Sequence, residues 1–140
     1  MTRIIANTNI MVDDFDFCKS FPKDTFHHFL THFHSDHYEG ITPLWDYGAI
    51  HCSHQTKKFL MDKYPKLKRV ESYDYYKFYT LSIVKDKIDI EFAMFDAKHI
   101  PGAAMILFRG YMGTILFTGD FRYEYSMIKE NNLLFPPRLR

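Results

Sequence analysis

The sequence predicts an α/β sandwich, and three observations point there. In the first half, short apolar runs alternate with helical segments in the order strands, helix, strand, helix. In the second half, runs of period-two alternation follow one another across short polar breaks, the mark of hairpins. The third is composition. A chain of 140 residues, 46% hydrophobic and 18% aromatic, can bury the core of one ordinary domain.

The elements follow in order. Residues 4–15 read as extended, broken by Asn7 and Asn9 and ending in the acidic VDDFDF. Residues 26–32 (FHHFLTH) are aromatic and apolar enough for a buried strand, with His27 and His28 as ordinary strand residues. SDHYEGITPLW then turns into a short helix capped by Ser35 or Asp36. Residues 49–52 form another short strand. Ser53 caps HQTKKFLMDKY, where Phe59, Leu60 and Tyr64 recur at helical spacing until Pro65 stops the helix. Residues 76–84 and 88–95 alternate on either side of KDK as one hairpin. Residues 103–109 and 114–118 make a second hairpin across GYMG. After Tyr125 the pattern decays into NNLLFPPRLR, so the domain is placed over 1–129 and 130–140 is a divergent tail.

Charge narrows the functional classes only a little. A net charge of +1 with 25% charged residues carries no acidic tail or basic arm that would announce a polyanion. Cys18 and Cys52 are too few for a disulfide framework, which fits a reducing compartment. No apolar run approaches the roughly 20 residues of a membrane span, and the start shows no secretion signal. The expectation is a soluble, intracellular protein that makes no use of a membrane.

The chemistry is concentrated in THFHSDHYEG. In a strand, residues i and i+2 point to one side, so His32 and His34 project together and one metal could take both. Asp36 and His37 lie just past the turn and can face a second metal. Imidazole and carboxylate are the ligands of zinc and similar divalent ions. Two further stretches add to this. DAKHIPGAAMILF places His99 at a strand-to-loop junction, and TGDFRY puts Asp120 at the end of an apolar strand, as a bridging or supporting carboxylate.

HFHSDH, DAKHIPGAAMILF and TGDFRY, in this order, resemble the metallo-β-lactamase fold. The detail, with GYMGTILFTGDFRYEYSMIKE, resembles the DNA cross-link repair nucleases of the β-CASP group, over about residues 10–129. The resemblance implies that His32, His34 and His99 hold the first metal, that Asp36 and His37 hold the second, and that Asp120 bridges them. It matches Asp13 to an aspartate that supports the histidine loop without binding metal. A solvated turn carboxylate beside Asp14 and Asp16 is the alternative. Zinc is the implied metal, one or two ions, with Mg or Mn as substitutes. Asp36 and Asp120 become the catalytic carboxylates of phosphodiester hydrolysis.

The resemblance also implies a 5′ to 3′ DNA exonuclease of the interstrand cross-link repair and telomere-maintenance type, nuclear, acting on 5′-phosphorylated ends. Telomere or repair proteins are its implied partners. The family carries a further histidine beyond Asp120 and an inserted β-CASP region, and this sequence contains neither before Arg140. The expected fold is therefore the N-terminal part of an αββα sandwich without its second half, whose strand faces lack their usual partner layer. Rival readings are an RNA-processing β-CASP nuclease and a non-catalytic truncated remnant acting as a binding module. Arg122 is the candidate phosphate contact. Lys57, Lys58, Lys63, Lys66, Lys68 and Arg69 read as a solvated face, with backbone phosphates as the alternative. Tyr73, Tyr75, Tyr76 and Tyr79 read as core and hairpin residues, with base stacking as the alternative.

Overall fold

The two halves of the chain build two four-stranded sheets of opposite character. The structure is a computed structural model that describes residues 4–83 and 88–124. The first sheet is parallel, in the order β1 (Ile10–Val12), β2 (His27–Phe29), β3 (Ile50–Ser53) and β4 (Val70–Tyr73). A short 3-10 helix (Phe17–Ser20) and helices α1 (Ser35–Tyr38) and α2 (His54–Lys63) lie in its connections. The second sheet is an antiparallel meander of β5 (Phe78–Ile83), β6 (Ile88–Asp96), β7 (Ala104–Gly110) and β8 (Gly113–Phe117).

A parallel sheet is covered on both faces, so residues on both sides of its strands are buried, as throughout β1 and β3. Ile10, Val12 and Phe29 point at the second sheet and meet Leu81, Ile90, Phe92, Met94, Ile106 and Phe108. The Phe29 ring stands edge-on to both Phe92 and Phe108, each 5.0 Å away. Met11, Leu30, Ile50 and Cys52 point the other way, against Leu60 of α2, Phe15 and Trp45. The two sheets thus cover one another's inner faces. This corrects the expectation that the strand faces lack a partner layer, because the meander itself supplies the layer. Even the outer-facing Ala93, Phe95, Met105 and Leu107 are buried.

Ser53 caps α2 as its sequence predicts, accepting from the Thr56 backbone N–H. The cap of α1 differs. His34 occupies the N-cap with extended backbone and makes no side-chain cap bond, so Ser35 and Asp36 fall inside the first turn. The reason is that the histidine ring is turned towards its neighbours at the sheet end. Strand β4 has no counterpart in the sequence reading; VESY lacks a clear alternation and gains its ladder from β3. The first hairpin forms in register from Phe78↔Ala93 to Ile83↔Ile88, and its KDK turn lies outside the described residues, as does the tail 130–140. Both thiols are free and buried, and burial pushes Cys18 up to about 11 and Cys52 up to about 12.

Two buried histidines make folding sensitive to acid. His28 lies between the rings of Phe15 and Trp45, and burial pushes it down to about 4. His51 stacks on Phe29 at 4.7 Å, and burial pushes it down to about 3. Their folded values lie below the ordinary 6.5, so on acidification the unfolded chain takes up protons first. The contribution of these two histidines is therefore complete above pH 6.5. Below it, each histidine removes up to about 1.4 kcal/mol per pH unit until its folded value is reached. Urea denaturation at about pH 7.5, 6 and 5 should show this fall, and a midpoint unchanged between the last two would refute it.

Candidate metal centre

The histidines meet at one end of the sandwich, where the carboxyl ends of the parallel strands lie. Open α/β sheets place their ligands at such ends. Asp13 follows β1, Thr31 and His32 follow β2, and Asp36 and His37 ride on α1. The meander contributes the rest: His99 follows β6 and Asp120 follows β8. Backbone bonds fix these loops to each other. Ala104 N–H donates to Thr31 C=O at 2.9 Å, which joins the two sheets, and Arg122 N–H donates to Ala97 C=O at 2.8 Å.

The donor atoms of His32, His34, His99 and Asp120 all lie within 4.8 Å of one another. Asp120 Oδ2 lies 3.5 Å from His32 Nε2, 3.3 Å from His37 Nε2 and 3.9 Å from His99 Nε2. Asp36 Oδ2 stands 3.5 Å from His37 Nε2, on the exposed side. The predicted ligands thus come together, with Asp120 between the two expected sets. Beside them opens a cleft of about 280 Å³, lined by Asp13, His37 and residues 116–120.

Asp13 sits behind this group, buried, with φ +53°. Its Oδ1 accepts from Thr31 N–H at 2.8 Å, and its Oδ2 accepts from the Thr31 hydroxyl at 2.7 Å. His37 Nδ1 also meets Oδ2, at 2.8 Å. A carboxylate only accepts, so Nδ1 carries the proton there and Nε2 keeps its lone pair for the centre. That bond is the main reason His37 stays above its ordinary pKa, against the pull of burial. His32 goes the other way, pushed down to about 4 by burial and then by the nearby His37.

The residues fit a divalent ion. His32 Nε2 is buried and has no hydrogen-bond partner among the described residues, a costly state for a polar atom unless something binds it. It faces Asp120 and three other imidazoles, with the His37 ring centroid 4.1 Å away and those of His34 and His99 at 4.8 and 5.0 Å. Nitrogen and carboxylate donors so arranged are those of zinc-type sites.

The His99 loop has an anchor that the sequence pattern does not reveal. Ser53 Oγ donates to Gly102 C=O at 2.7 Å while it caps α2. Gly102 has φ +87°, and a Cβ there would come within 2.9 Å of Thr56 Oγ1 and 3.0 Å of Ser53 Oγ. The signal lies in the serine that begins SHQT and the glycine in HIPG, but only the fold brings them together. Ser53→Ala should cost about 1–2 kcal/mol through the cap and the tether. A thermal melt unchanged from wild type would refute that.

Thr31 is the second residue that sequence reasoning misses, although its hydroxyl, directly before His32 in FHHFLTH, marks it. Among the phosphate candidates, Arg122 is exposed. In the basic stretch, Lys63 lies over the Tyr38 and Tyr64 rings and Arg69 pairs with Asp24, as a solvated face does. Tyr73, Tyr75 and Tyr79 pack against the core, whereas Tyr76 is exposed. A second cleft, of about 370 Å³ around Ser53, Lys58 and Tyr73, has its His54 paired with Asp74 at 2.7 Å.

No family model matches the sequence. Individual proteins do. The 5′ exonuclease Apollo of Danio rerio is 37% identical over 131 residues, 91% of this chain and 22% of that protein. The DNA cross-link repair protein SNM1 of Arabidopsis thaliana is 38% identical over 114 residues, 80% of this chain and 22% of that protein. The human DNA cross-link repair 1A protein is 41% identical over 110 residues, 76% of this chain and 10% of that protein. Among solved structures, CmlA, a diiron β-hydroxylase from Streptomyces venezuelae, superposes with a TM-score of 0.62 at 17% identity. That match covers 91% of this chain and 29% of CmlA, and it speaks to the fold alone. The chain spans under a quarter of the Apollo and SNM1 proteins it matches, 22% in each case above. With two facing sheets and the histidine cluster at their end, it belongs to the DNA cross-link repair nuclease family of metallo-β-lactamase fold.

Proposed function

We propose that the cluster is a two-metal phosphodiesterase centre of a DNA exonuclease working 5′ to 3′ from 5′-phosphorylated ends. One observation carries this reading: Asp120 Oδ2 lies within 3.3–3.9 Å of His32, His37 and His99 together. His32, His34 and His99 would hold the first ion, Asp36 and His37 the second, and Asp120 both. Zinc fits the donors best, since imidazole outnumbers carboxylate.

Divalent ions in such a site supply Lewis acidity and a nucleophilic water at neutral pH. The chain's own residues do the positioning. Asp36, exposed at the rim, can accept a proton from water and orient it. Asp120 sets the separation of the two ligand sets. Arg122, two residues on and exposed, would be the phosphate contact. The kinship with Apollo and SNM1 supports a nuclear site of action in cross-link repair or at telomeres. No helix among the described residues is long and apolar enough to cross a membrane.

The test is metal content by elemental analysis of the purified chain, followed by an end-labelled substrate panel. The expected result is bound zinc and shortening of 5′-phosphorylated DNA, with hydroxyl-ended DNA and RNA resistant. Preferential cleavage of RNA would overturn the substrate assignment, and a metal-free chain in excess zinc would overturn the centre.

A further inference from the structure

The protons around His32 can be assigned one by one. Thr31 Oγ1 has a single proton. It lies 2.7 Å from Asp13 Oδ2, which as a carboxylate oxygen can only accept. The hydroxyl proton is therefore committed to Asp13. The same oxygen lies 2.9 Å from His32 Nδ1, so the proton in that second bond must come from the imidazole. His32 is then the Nδ1–H tautomer, and its buried Nε2, with no hydrogen-bond partner among the described residues, presents a bare lone pair. This is the form that can bind a cation through Nε2.

We propose that Thr31 is a positioning residue: its hydroxyl relays the Asp13 carboxylate to His32, so that one carboxylate orients an imidazole in each half of the centre. His37 is held directly by Asp13 and His32 through Thr31, and the two ring centroids are only 4.1 Å apart. The purpose of the relay rests on the metal reading above; the tautomer itself does not. Two further contacts hold Thr31 in place. Its backbone N–H donates to Asp13 Oδ1 and its C=O accepts from Ala104 N–H. The turn before Asp120 also closes over it: a Cβ at Gly119 would come within 2.9 Å of Thr31 Oγ1 and 3.0 Å of its Cβ. Only a glycine lets that turn approach so closely, and it brings Asp120 to the imidazoles that Thr31 helps to align.

The experiment is long-range ¹H–¹⁵N correlation NMR on the metal-free full chain, which reads the tautomer of each histidine, beside zinc titrations of wild type, Thr31→Val and Thr31→Ser. His32 should be protonated at Nδ1 in wild type and in Thr31→Ser. In Thr31→Val, which keeps the shape and loses the hydroxyl, His32 should revert to Nε2–H and zinc affinity should fall roughly 10–100-fold. Wild-type His32 protonated at Nε2 overturns the relay, even if Thr31→Val does not fold. A Thr31→Val chain that keeps the Nδ1–H form and full zinc affinity also overturns it. A wild-type chain with the Nδ1–H form that binds no zinc supports the relay and overturns the metal-centre reading instead.

Discussion

Asp120→Asn is expected to strip the centre of metal while leaving the fold standing. Its Oδ2 lies 3.5, 3.3 and 3.9 Å from His32, His37 and His99, so one oxygen stands next to both proposed ligand sets. Removing groups that merely orient a ligand costs about 10–100-fold in metal affinity, so replacing a charged donor should cost on the order of 100-fold or more. The side chain is half exposed, and the change should move folding stability by no more than about 0.5 kcal/mol. Elemental analysis and a thermal melt measured side by side separate the two effects. Wild-type metal content in the variant would remove Asp120 from the ligand set.

Asp13→Ala should instead damage the fold. Thr31 N–H, the Thr31 hydroxyl and His37 Nδ1–H are among the donors that converge on its buried oxygens. Alanine leaves all three without their acceptor and must hold φ at +53°, a left-handed backbone that aspartate tolerates better. A loss of about 3–5 kcal/mol follows, a large share of an ordinary domain's total. Asp13→Asn separates fold from function. An amide can still accept from Thr31 N–H, but towards His37 it offers an N–H donor. The imidazole would then turn its Nδ1 lone pair to the amide and carry its proton on Nε2, away from metal binding. Urea denaturation should find Asn far milder than Ala, and zinc titration should find both defective. Equal stability of the two variants would contradict this account.

Much of the site is legible in the sequence because it is local. HFHSDH places four donors within six residues, although β2 ends at Phe29, so the turn after it, with His34 N–H bonded to His32 C=O, and not strand alternation, brings His32 and His34 together. The Ser53 cap is legible for the same reason, since its partner Thr56 is three residues on. What escapes is either non-local or dependent on the fold. The bond from Ser53 to Gly102 spans 49 residues, and the role of Thr31 requires Asp13, 18 residues earlier. Strand β4 escapes because VESY carries no pattern of its own and exists as an edge to β3. The cap of α1 differs from expectation because serine and aspartate are the usual caps, whereas His34 holds that place with its ring facing His32 and His99. Local preference gives way to the cluster.

The bond from Ala104 to Thr31 also bears on the order in which the molecule is made. The meander closes through neighbouring hairpins, which are quick to form, while the parallel sheet waits on longer crossovers. His99 and Asp120 belong to the first, and His32, His34 and His37 to the second. Their donor atoms meet only once the sheets have docked, so a complete ligand set does not exist in any half-folded chain. Capture of metal by the proposed centre would then be a late event, and its rate would report sheet docking. An ion offered during refolding would act as a latch that closes on a finished sandwich.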